Sequence, residues 1–227
     1  MWRGSGATSN RTIVPKELDM VARLDLRGQW VLVTGASSGL GLAMSHVIAR
    51  DYGGNVVLAA RREDKLGELS ESLRTKYGVQ TVVHPVDLQH SDQVRQLCVD
   101  CTSKRTLRAA ILNAGMTYYG HQLDIPDDMS KGIIVTNAVS TVDLATYVAE
   151  YVGRQPQGCG LMIVSSLGGF LPLPYQALYG ASKAFITSFA QSLREETRKT
   201  NVSITVLAPG GIATELLTKS GLDARFS

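Results

Sequence analysis

Short apolar runs alternate with amphipathic stretches along most of the chain. The first run is almost unbroken, as in a parallel strand that is buried on both faces. Helical spacing of apolar residues follows several of the runs, for example at Leu66, Leu69 and Leu73, and long helices are predicted over 129–152 and 175–199. The pattern indicates an α/β protein. Six strands are predicted, at 29–34, 55–60, 79–86, 107–112, 161–165 and 202–208.

Length and composition favour a single domain. The chain has 227 residues, of which 44% are hydrophobic, and this is enough to build a sizeable core. We divide it into a partly flexible N-terminal extension, 1–27, whose start is rich in Gly and Ser, and a folded domain over 28–227.

Charge and cysteine content exclude several classes of protein. The net charge of +3 comes from scattered basic residues, which argues against a nucleic-acid partner. No apolar run approaches the ~18 residues of a membrane span, and the N-terminus lacks the apolar part of a secretory signal, so we expect a cytoplasmic protein. Cys98, Cys101 and Cys159 are interpreted as free thiols, and no metal site is expected.

A glycine-rich turn follows the first predicted strand. Residues 34–41 read T-G-A-S-S-G-L-G, and an amphipathic helix comes next. Glycines let a backbone approach a pyrophosphate, and the amides and dipole of a helix N-terminus bind its charge. The spacing differs from the generic G-x-G-x-x-G fingerprint, and a turn without a ligand is the alternative. The residues predicted to bind a cofactor here are Gly35, Ser37, Ser38, Gly39 and Leu40.

Arginine stands at the end of the second predicted strand. In dinucleotide-binding folds an acidic residue at this place binds ribose hydroxyls, while an arginine accommodates a 2′-phosphate. Arg61 is present and the acid is absent, which favours NADP(H) over NAD(H). The alternative is that Arg61 is a solvated charge that Glu63 and Asp64 neutralise.

Two further strand ends carry candidate cofactor contacts. Asp87, next to Leu88, follows the third predicted strand. Its carboxylate could accept from an adenine amino group or could cap the helix that starts near Ser91, and the residues leave both open. The fourth strand ends in Asn113, Ala114 and Gly115, where small residues permit close approach of a cofactor.

Tyr179 and Lys183 are four residues apart on a predicted helix, so their side chains share one face. A nearby ammonium favours the phenolate, so we expect the pKa of Tyr179 to fall toward neutral pH. Ser166 lies thirteen residues before Tyr179 at a predicted strand end, where open parallel sheets place their ligands. Its hydroxyl could hold a carbonyl oxygen.

Asn137 lies inside the predicted helix 129–152, where asparagine is a poor helix former. It is either an exposed polar residue or an inward amide that holds a water behind Lys183. The loop 116–126 contains Tyr118, Tyr119 and His121 and could wall a substrate pocket. We interpret His121 as a surface residue.

The last predicted strand ends in a tight turn over 209–214, and a short helix is expected after it. Backbone amides and the Thr214 hydroxyl in this turn could face a carboxamide. The residues predicted to contact a cofactor here are Pro209, Gly210, Ile212 and Thr214.

Together these motifs closely resemble the short-chain dehydrogenase/reductase family, in the subgroup with T-G-x-x-x-G-x-G and Y-x-x-x-K. The resemblance covers about 26–217. It implies a Rossmann-like, doubly wound parallel sheet in three α/β/α layers, a nicotinamide cofactor and adenine contact by Asp87. It also implies a catalytic tetrad of Asn137, Ser166, Tyr179 and Lys183.

Two departures from the family pattern are visible. Leu112 replaces the first asparagine of N-N-A-G, where we expect little effect because this position is not catalytic. The family also continues into a seventh strand and a substrate-binding segment, of which little is present here, so this part is interpreted as truncated. Substrate identity is therefore largely unreadable from the sequence.

We predict an NADP(H)-dependent oxidoreductase that interconverts a carbonyl and a secondary alcohol, with Tyr179 as general acid and base. The alternatives are a non-catalytic NADP(H)-binding sensor or scaffold, and the same enzyme with NAD(H). As in the family, helices 129–152 and 176–199 would pair across a two-fold axis in a homodimer or homotetramer. An apolar substrate or an oligomer contact is indicated by Leu167, Phe170, Leu171, Leu173 and Tyr175.

Overall fold

The computed structural model describes residues 24–210. Ile212, Thr214, the helix predicted after them and most of the predicted N-terminal extension lie outside this range. Six strands form one parallel sheet in the order β3-β2-β1-β4-β5-β6. The strands are β1 Trp30–Thr34, β2 Asn55–Ala60, β3 Thr81–Pro85, β4 Leu107–Leu112, β5 Cys159–Val164 and β6 Val202–Leu207.

Helices cover both faces of the sheet. A π-helical segment, Val135–Val139, joins α4 to α5 without a break, and short 3₁₀ turns occupy Gln122–Asp124 and Leu167–Gly169. The α-helices are α1 Gly39–Tyr52, α2 Glu63–Tyr77, α3 Ser91–Ser103, α4 Asp127–Ile134, α5 Ser140–Gly153 and α6 Ala177–Glu196.

The core consists of two apolar clusters, one on each face of the sheet. In β1, Leu32 belongs to the cluster shared with α3, α5 and α6, while Val31 and Val33 belong to the cluster shared with α1 and α2. Successive side chains of a strand point to opposite faces, and here both faces are covered. The predicted three-layer, doubly wound α/β fold is confirmed.

The strand order places a crevice at the centre of the sheet. From β1 the chain adds β2 and β3 on one side, and β4 then returns to pair with the other side of β1. In open α/β sheets, ligands bind outside the carboxyl ends of the strands where the order reverses in this way. The residues that follow β1 and β4 are therefore the place to look for a functional site.

Two predicted boundaries differ from the structure for backbone reasons. The strand predicted over 79–86 is shorter and runs from Thr81 to Pro85, after Gly78 has ended α2 with a left-handed φ of 68°. The helix predicted from 175 begins at Ala177, because Tyr175 has a left-handed φ of 65° that an α-helix does not accept.

One stretch of the described chain, Asp127–Gly153, is long and apolar enough to cross a membrane. In the structure 61% of its most apolar window is buried, and α5 packs on β4 and β5, as expected of a helix in the core of an α/β fold. The predicted free thiols are confirmed, since all three cysteines are unpaired and buried. Burial raises the pKa of Cys98 to about 11 and that of Cys101 to about 12.

Candidate active site

A cavity of about 680 Å³ lies at the carboxyl ends of the strands, over the junction of β1 and β4. Most of the residues predicted from the sequence line it. They are Gly35, Ser37, Ser38, Gly39, Leu40, Arg61, Asp87, Leu88, Asn113, Ala114, Gly115, Ser166, Tyr179, Lys183, Pro209 and Gly210.

The glycine turn is packed so tightly that a side chain would not fit. A Cβ atom at Gly41 would lie 2.4 Å from the Gly35 carbonyl oxygen and 2.6 Å from Nδ2 of Asn113. Gly35 itself has a φ of 68°, which favours glycine. Thr34 connects the turn to β4, since its Oγ1 accepts from the amides of Asn113 and Ala114 at 3.0 and 3.1 Å.

Neither the N-cap nor the first turn of α1 supplies a negative charge at this turn. The N-cap residue, Ser38, makes no side-chain capping bond, and the first turn of the helix holds no acidic residue. Helix amides and the positive end of the helix dipole are suited to bind a phosphate. Together with the close approach of backbone at Gly35 and Gly41, this donor set fits a dinucleotide pyrophosphate.

Two arginines follow β2, and they differ in their surroundings. Arg61 is exposed and lines the cavity. Arg62, which also lines it, donates from Nη2 to Oγ and to the carbonyl oxygen of Ser37 at 3.2 and 3.3 Å. Sequence reasoning selected Arg61 and missed Arg62 as a residue that holds the glycine turn in place.

Asp87 does not cap α3, so that alternative is wrong. The N-cap residue is His90, without a side-chain bond. Oδ1 of Asp87 accepts instead from the Gln89 amide at 3.0 Å, and the Asp87 amide donates to Oε1 of Gln93 at 2.8 Å. Asp87 lines the cavity, and its contact with adenine stays a prediction.

Tyr179 and Ser166 meet where β5 ends. Ser166 follows the strand as the N-cap of the 3₁₀ turn Leu167–Gly169 and accepts from the Gly168 amide at 3.1 Å. Burial raises the pKa of Tyr179, and a hydrogen bond with Ser166 acts against this rise. The expectation that Lys183 would draw this pKa toward neutral is not met, because removal of the phenol from water outweighs other effects.

Lys183 is buried beside the tyrosine. Its Nζ donates to the Val164 carbonyl oxygen at 2.8 Å and lies 5.7 Å from the centre of the Tyr179 ring. Burial lowers the pKa of Lys183 to about 8, since a charged ammonium is disfavoured away from water. The ammonium therefore loses its proton more readily than an exposed lysine.

This shift predicts a pH dependence of stability. Between pH about 8 and the ordinary value of 10.5, the unfolded chain binds more protons at this position than the folded protein, so rising pH favours folding. The free energy of unfolding should therefore rise with pH in the parent relative to Lys183→Met. Urea unfolding of both proteins from about pH 7 to about pH 9.5 measures this, and a difference that does not change with pH would contradict it.

Asn137 is fully buried within the π-helical segment, so the exposed alternative is wrong. Its Oδ1 accepts from the Met116 amide at 2.7 Å, and its Nδ2 donates to the Met116 carbonyl and to Oγ of Ser182, each at 2.9 Å. A Cβ atom at Gly115 would lie 3.4 Å from Asn137 Oδ1 and 3.5 Å from Lys183 Nζ. Both groups therefore lie close to Gly115. A water held between them stays a prediction.

The walls of the cavity beyond Ser166 differ from those predicted. Of the loop 116–126, Met116 and Thr117 line the cavity, while Tyr118, Tyr119 and His121 do not. The last two pack on Tyr175, with ring centres 5.8 and 5.6 Å apart. The predicted apolar residues divide in the same way: Leu167 and Leu173 line the cavity, whereas Phe170, Leu171 and Tyr175 are exposed outside it.

Several further lining residues were not predicted individually from the sequence. Met129, Thr136 and Gln176 line the cavity together with Met116 and Thr117. Position alone could have pointed to two of them, since Met116 follows the Asn-Ala-Gly turn and Gln176 lies three residues before Tyr179.

Known proteins share this architecture. The very-long-chain 3-oxoacyl-CoA reductase of Homo sapiens is 32% identical over 195 residues, which are 83% of this chain and 61% of that protein. The 7beta-hydroxysteroid dehydrogenase of Mediterraneibacter gnavus is 30% identical over 190 residues, 84% of this chain and 71% of that protein. This chain therefore spans about three fifths of the reductase and more of the dehydrogenase.

A solved structure supports the same relationship. The short-chain dehydrogenase from Sphingobium yanoikuyae in complex with NADPH matches with a TM-score of 0.82 and 28% identity, over 86% of this chain and 75% of that one. The sequence profile described as short chain dehydrogenase matches residues 29–224. Since this match covers most of the chain and contains both the glycine turn and the Tyr179–Lys183 pair, the chain belongs to the short-chain dehydrogenase family.

Proposed function

We propose that the protein is an NADP(H)-dependent oxidoreductase that interconverts a carbonyl and a secondary alcohol. The observation that carries the proposal is the position of Tyr179, which lines the cavity beside Ser166 and above the buried Lys183. The glycine turn and the N-terminus of α1 line the same cavity. Relatives named as an oxoacyl-CoA reductase and a hydroxysteroid dehydrogenase support this class of reaction.

Reduction of a carbonyl needs a hydride at carbon and a proton at oxygen. A nicotinamide dinucleotide supplies the hydride when it is bound. Tyr179 donates the proton, and burial keeps its phenol protonated because it raises the pKa. Ser166 donates a hydrogen bond to the same carbonyl oxygen and orients it, so that the negative charge that develops there is stabilised.

Lys183 and Asn137 act behind the tyrosine. Once Tyr179 has given up its proton, the ammonium of Lys183 stabilises the phenolate through its charge. One Lys183 proton is donated to the Val164 carbonyl, which leaves two donors for a ribose hydroxyl and for a water held by Asn137. That water would return a proton to Tyr179 through Lys183.

The direct test is turnover of NADPH by the parent protein with a panel of ketones and aldehydes. Oxidation of NADPH that depends on a carbonyl compound, with one alcohol formed for each NADPH consumed, would support the proposal. Tight binding of NADPH without turnover of any member would contradict it and would favour a sensor or scaffold role.

We base the proposed preference for NADP(H) on the two arginines after β2. Because their surroundings differ, substitution of each should affect cofactor binding differently. Arg61 is exposed, lines the cavity and, within the described chain, makes no hydrogen bond to the glycine turn. Arg61→Ala should therefore weaken the binding of NADPH by about tenfold and leave the binding of NADH unchanged. Arg62 binds Ser37 of the glycine turn, so Arg62→Ala should weaken both cofactors.

Dissociation constants for NADPH and NADH in the parent and both variants measure this prediction. Equal affinity of the parent for the two cofactors would overturn the proposed preference. A loss confined to NADPH in Arg62→Ala would reassign the phosphate contact from Arg61 to Arg62.

We also propose self-association through the helices on one side of the molecule. Val139 is 47% exposed on the segment between α4 and α5, and Phe185 is 53% exposed on α6. A second copy of the chain that pairs these helices would remove both side chains from water, which favours a homodimer or homotetramer.

A further inference from the structure

A pair of polar side chains stands in the part of the cavity where a substrate would bind. Nε2 of Gln176 donates to Oγ1 of Thr117 at 2.9 Å, although the two residues are 59 positions apart. Both residues line the cavity. Gln176 lies just before α6, three residues from Tyr179, and Thr117 follows the residue that Asn137 holds.

Much of the cavity lining from Met116 onward in the chain is apolar, since Met116, Met129, Leu167 and Leu173 all line the cavity. Thr136 lies there too, but its hydroxyl is directed to the Met116 sulfur at 3.3 Å. Among the described residues that line the cavity from Met116 onward, Lys183 alone is charged, and it belongs to the reaction centre.

The two side chains retain hydrogen-bonding capacity toward a ligand. A threonine hydroxyl that accepts one bond still has its own proton to donate, and a glutamine amide has a carbonyl oxygen that can accept. The pair therefore offers one donor and one acceptor within an otherwise apolar wall. Polar groups in such a wall usually fix the orientation of a ligand and supply specificity.

The backbone holds the pair in place. Tyr175, immediately before Gln176, has a φ of 65° and is the single non-glycine residue with positive φ in the described chain. Its carbonyl oxygen accepts from the Gly120 amide at 2.9 Å. This bond joins the loop that carries Thr117 to the start of α6, so the two side chains remain opposite each other.

Resting on the proposed carbonyl reduction, we infer that Gln176 and Thr117 select ketones with a second, uncharged oxygen. The substrate class is a mainly apolar ketone that carries a hydroxyl or carbonyl group in addition to the reacting carbonyl. A ketone without this group leaves the polar pair facing an apolar surface, and recognition then loses about one hydrogen bond.

The test compares decalone with a set of hydroxydecalones that differ only in the position of the hydroxyl. In the parent, kcat/KM for at least one hydroxydecalone should exceed that for decalone by about tenfold, as expected for one hydrogen bond. Gln176→Leu and Thr117→Val should each lower the ratio of kcat/KM for that hydroxydecalone over decalone from about ten to about one. Thr117→Ser, which keeps the hydroxyl, should keep the preference.

Gln157→Leu is the matched control, because Gln157 is exposed and lies before β5. This variant should change kcat/KM neither for decalone nor for the hydroxydecalones. Retained NADPH affinity shows that each variant is folded. Equal kcat/KM for all compounds in the parent would overturn the inference but not the proposed function. An equal loss of kcat/KM for decalone and the hydroxydecalones in Gln176→Leu would also overturn it, because the pair would then serve to hold α6 in place. Reduction of none of these compounds by the parent would also overturn the inference, whereas the proposed function is overturned only if no member of the ketone and aldehyde panel is reduced either.

Discussion

Tyr179→Phe should lower kcat for carbonyl reduction by about a thousandfold while NADPH still binds. The change removes one oxygen atom, and general acid catalysis by a positioned side chain contributes roughly 10²–10⁴ in rate. Tyr179 lines the cavity beside Ser166, and no other phenol among the described residues lines that cavity. Steady-state rates and NADPH dissociation constants for the parent and the variant measure the effect.

A matched control is available in the core of the same protein. Tyr147 is partly buried on α5, and its hydroxyl lies 3.0 Å from Oγ1 of Thr102. Tyr147→Phe removes an equivalent hydroxyl from a residue that does not line the cavity. It should lower stability by about 1 kcal/mol without changing the rate per folded molecule. If Tyr179→Phe retained the parent's turnover, the proposed mechanism would be wrong.

Gly41→Ala should damage both folding and cofactor binding. The added Cβ would lie 2.4 Å from the Gly35 carbonyl oxygen, so α1 or the turn must move. Alanine is intrinsically favoured over glycine in a helix by about 1 kcal/mol, and overpacking at a fixed backbone contact costs about 1–3 kcal/mol or more. Because the neighbouring atom belongs to the backbone, we take an overpacking cost of about 3 kcal/mol and expect a net loss of about 2 kcal/mol. The dissociation constant of NADPH should rise by at least about tenfold.

Gly67→Ala separates the clash from the effect of adding a methyl group to a helix. Gly67 lies within α2, and a Cβ atom there would have no neighbour within 4 Å. This variant should be stabilised by about 0.5–1 kcal/mol and should bind NADPH like the parent. Urea unfolding and cofactor titration of both variants measure the contrast. Equal free energies of unfolding and equal NADPH affinities would show that the glycine turn accommodates the added methyl group at little cost.

The sequence could predict those features of the site that depend on short-range pattern. The glycine turn, the strand ends at 113–115 and the four-residue spacing of Tyr179 and Lys183 are local, and the structure brings them to one cavity. The rule that parallel strands present ligands at their carboxyl ends identified the glycine turn and the strand ends. The Tyr179–Lys183 pair was identified from helical spacing and from its resemblance to the Y-x-x-x-K motif.

Features that depend on burial or on distant contacts were not predictable in this way. Spacing showed that Lys183 is near Tyr179, but it did not show that the lysine is buried and the phenol partly buried. Burial is the main cause of both pKa shifts. The contact between Gln176 and Thr117 joins two loops with no shared pattern. A mid-helix asparagine looks the same in the sequence whether it faces solvent or the core.

The π-helical segment explains why the direction of Asn137 could not be read from helical periodicity. In an α-helix each residue advances the helix by about 100°, and a π-bulge contains one residue more than an α-helical turn. Periodicity counted from α4 therefore loses phase across Val135–Val139, while Leu144, Val148 and Val152 of α5 still face the core. Deleting one residue from this segment would rotate α4 relative to α5, so a relative with a shorter helix here would need a different residue to support the loop after β4.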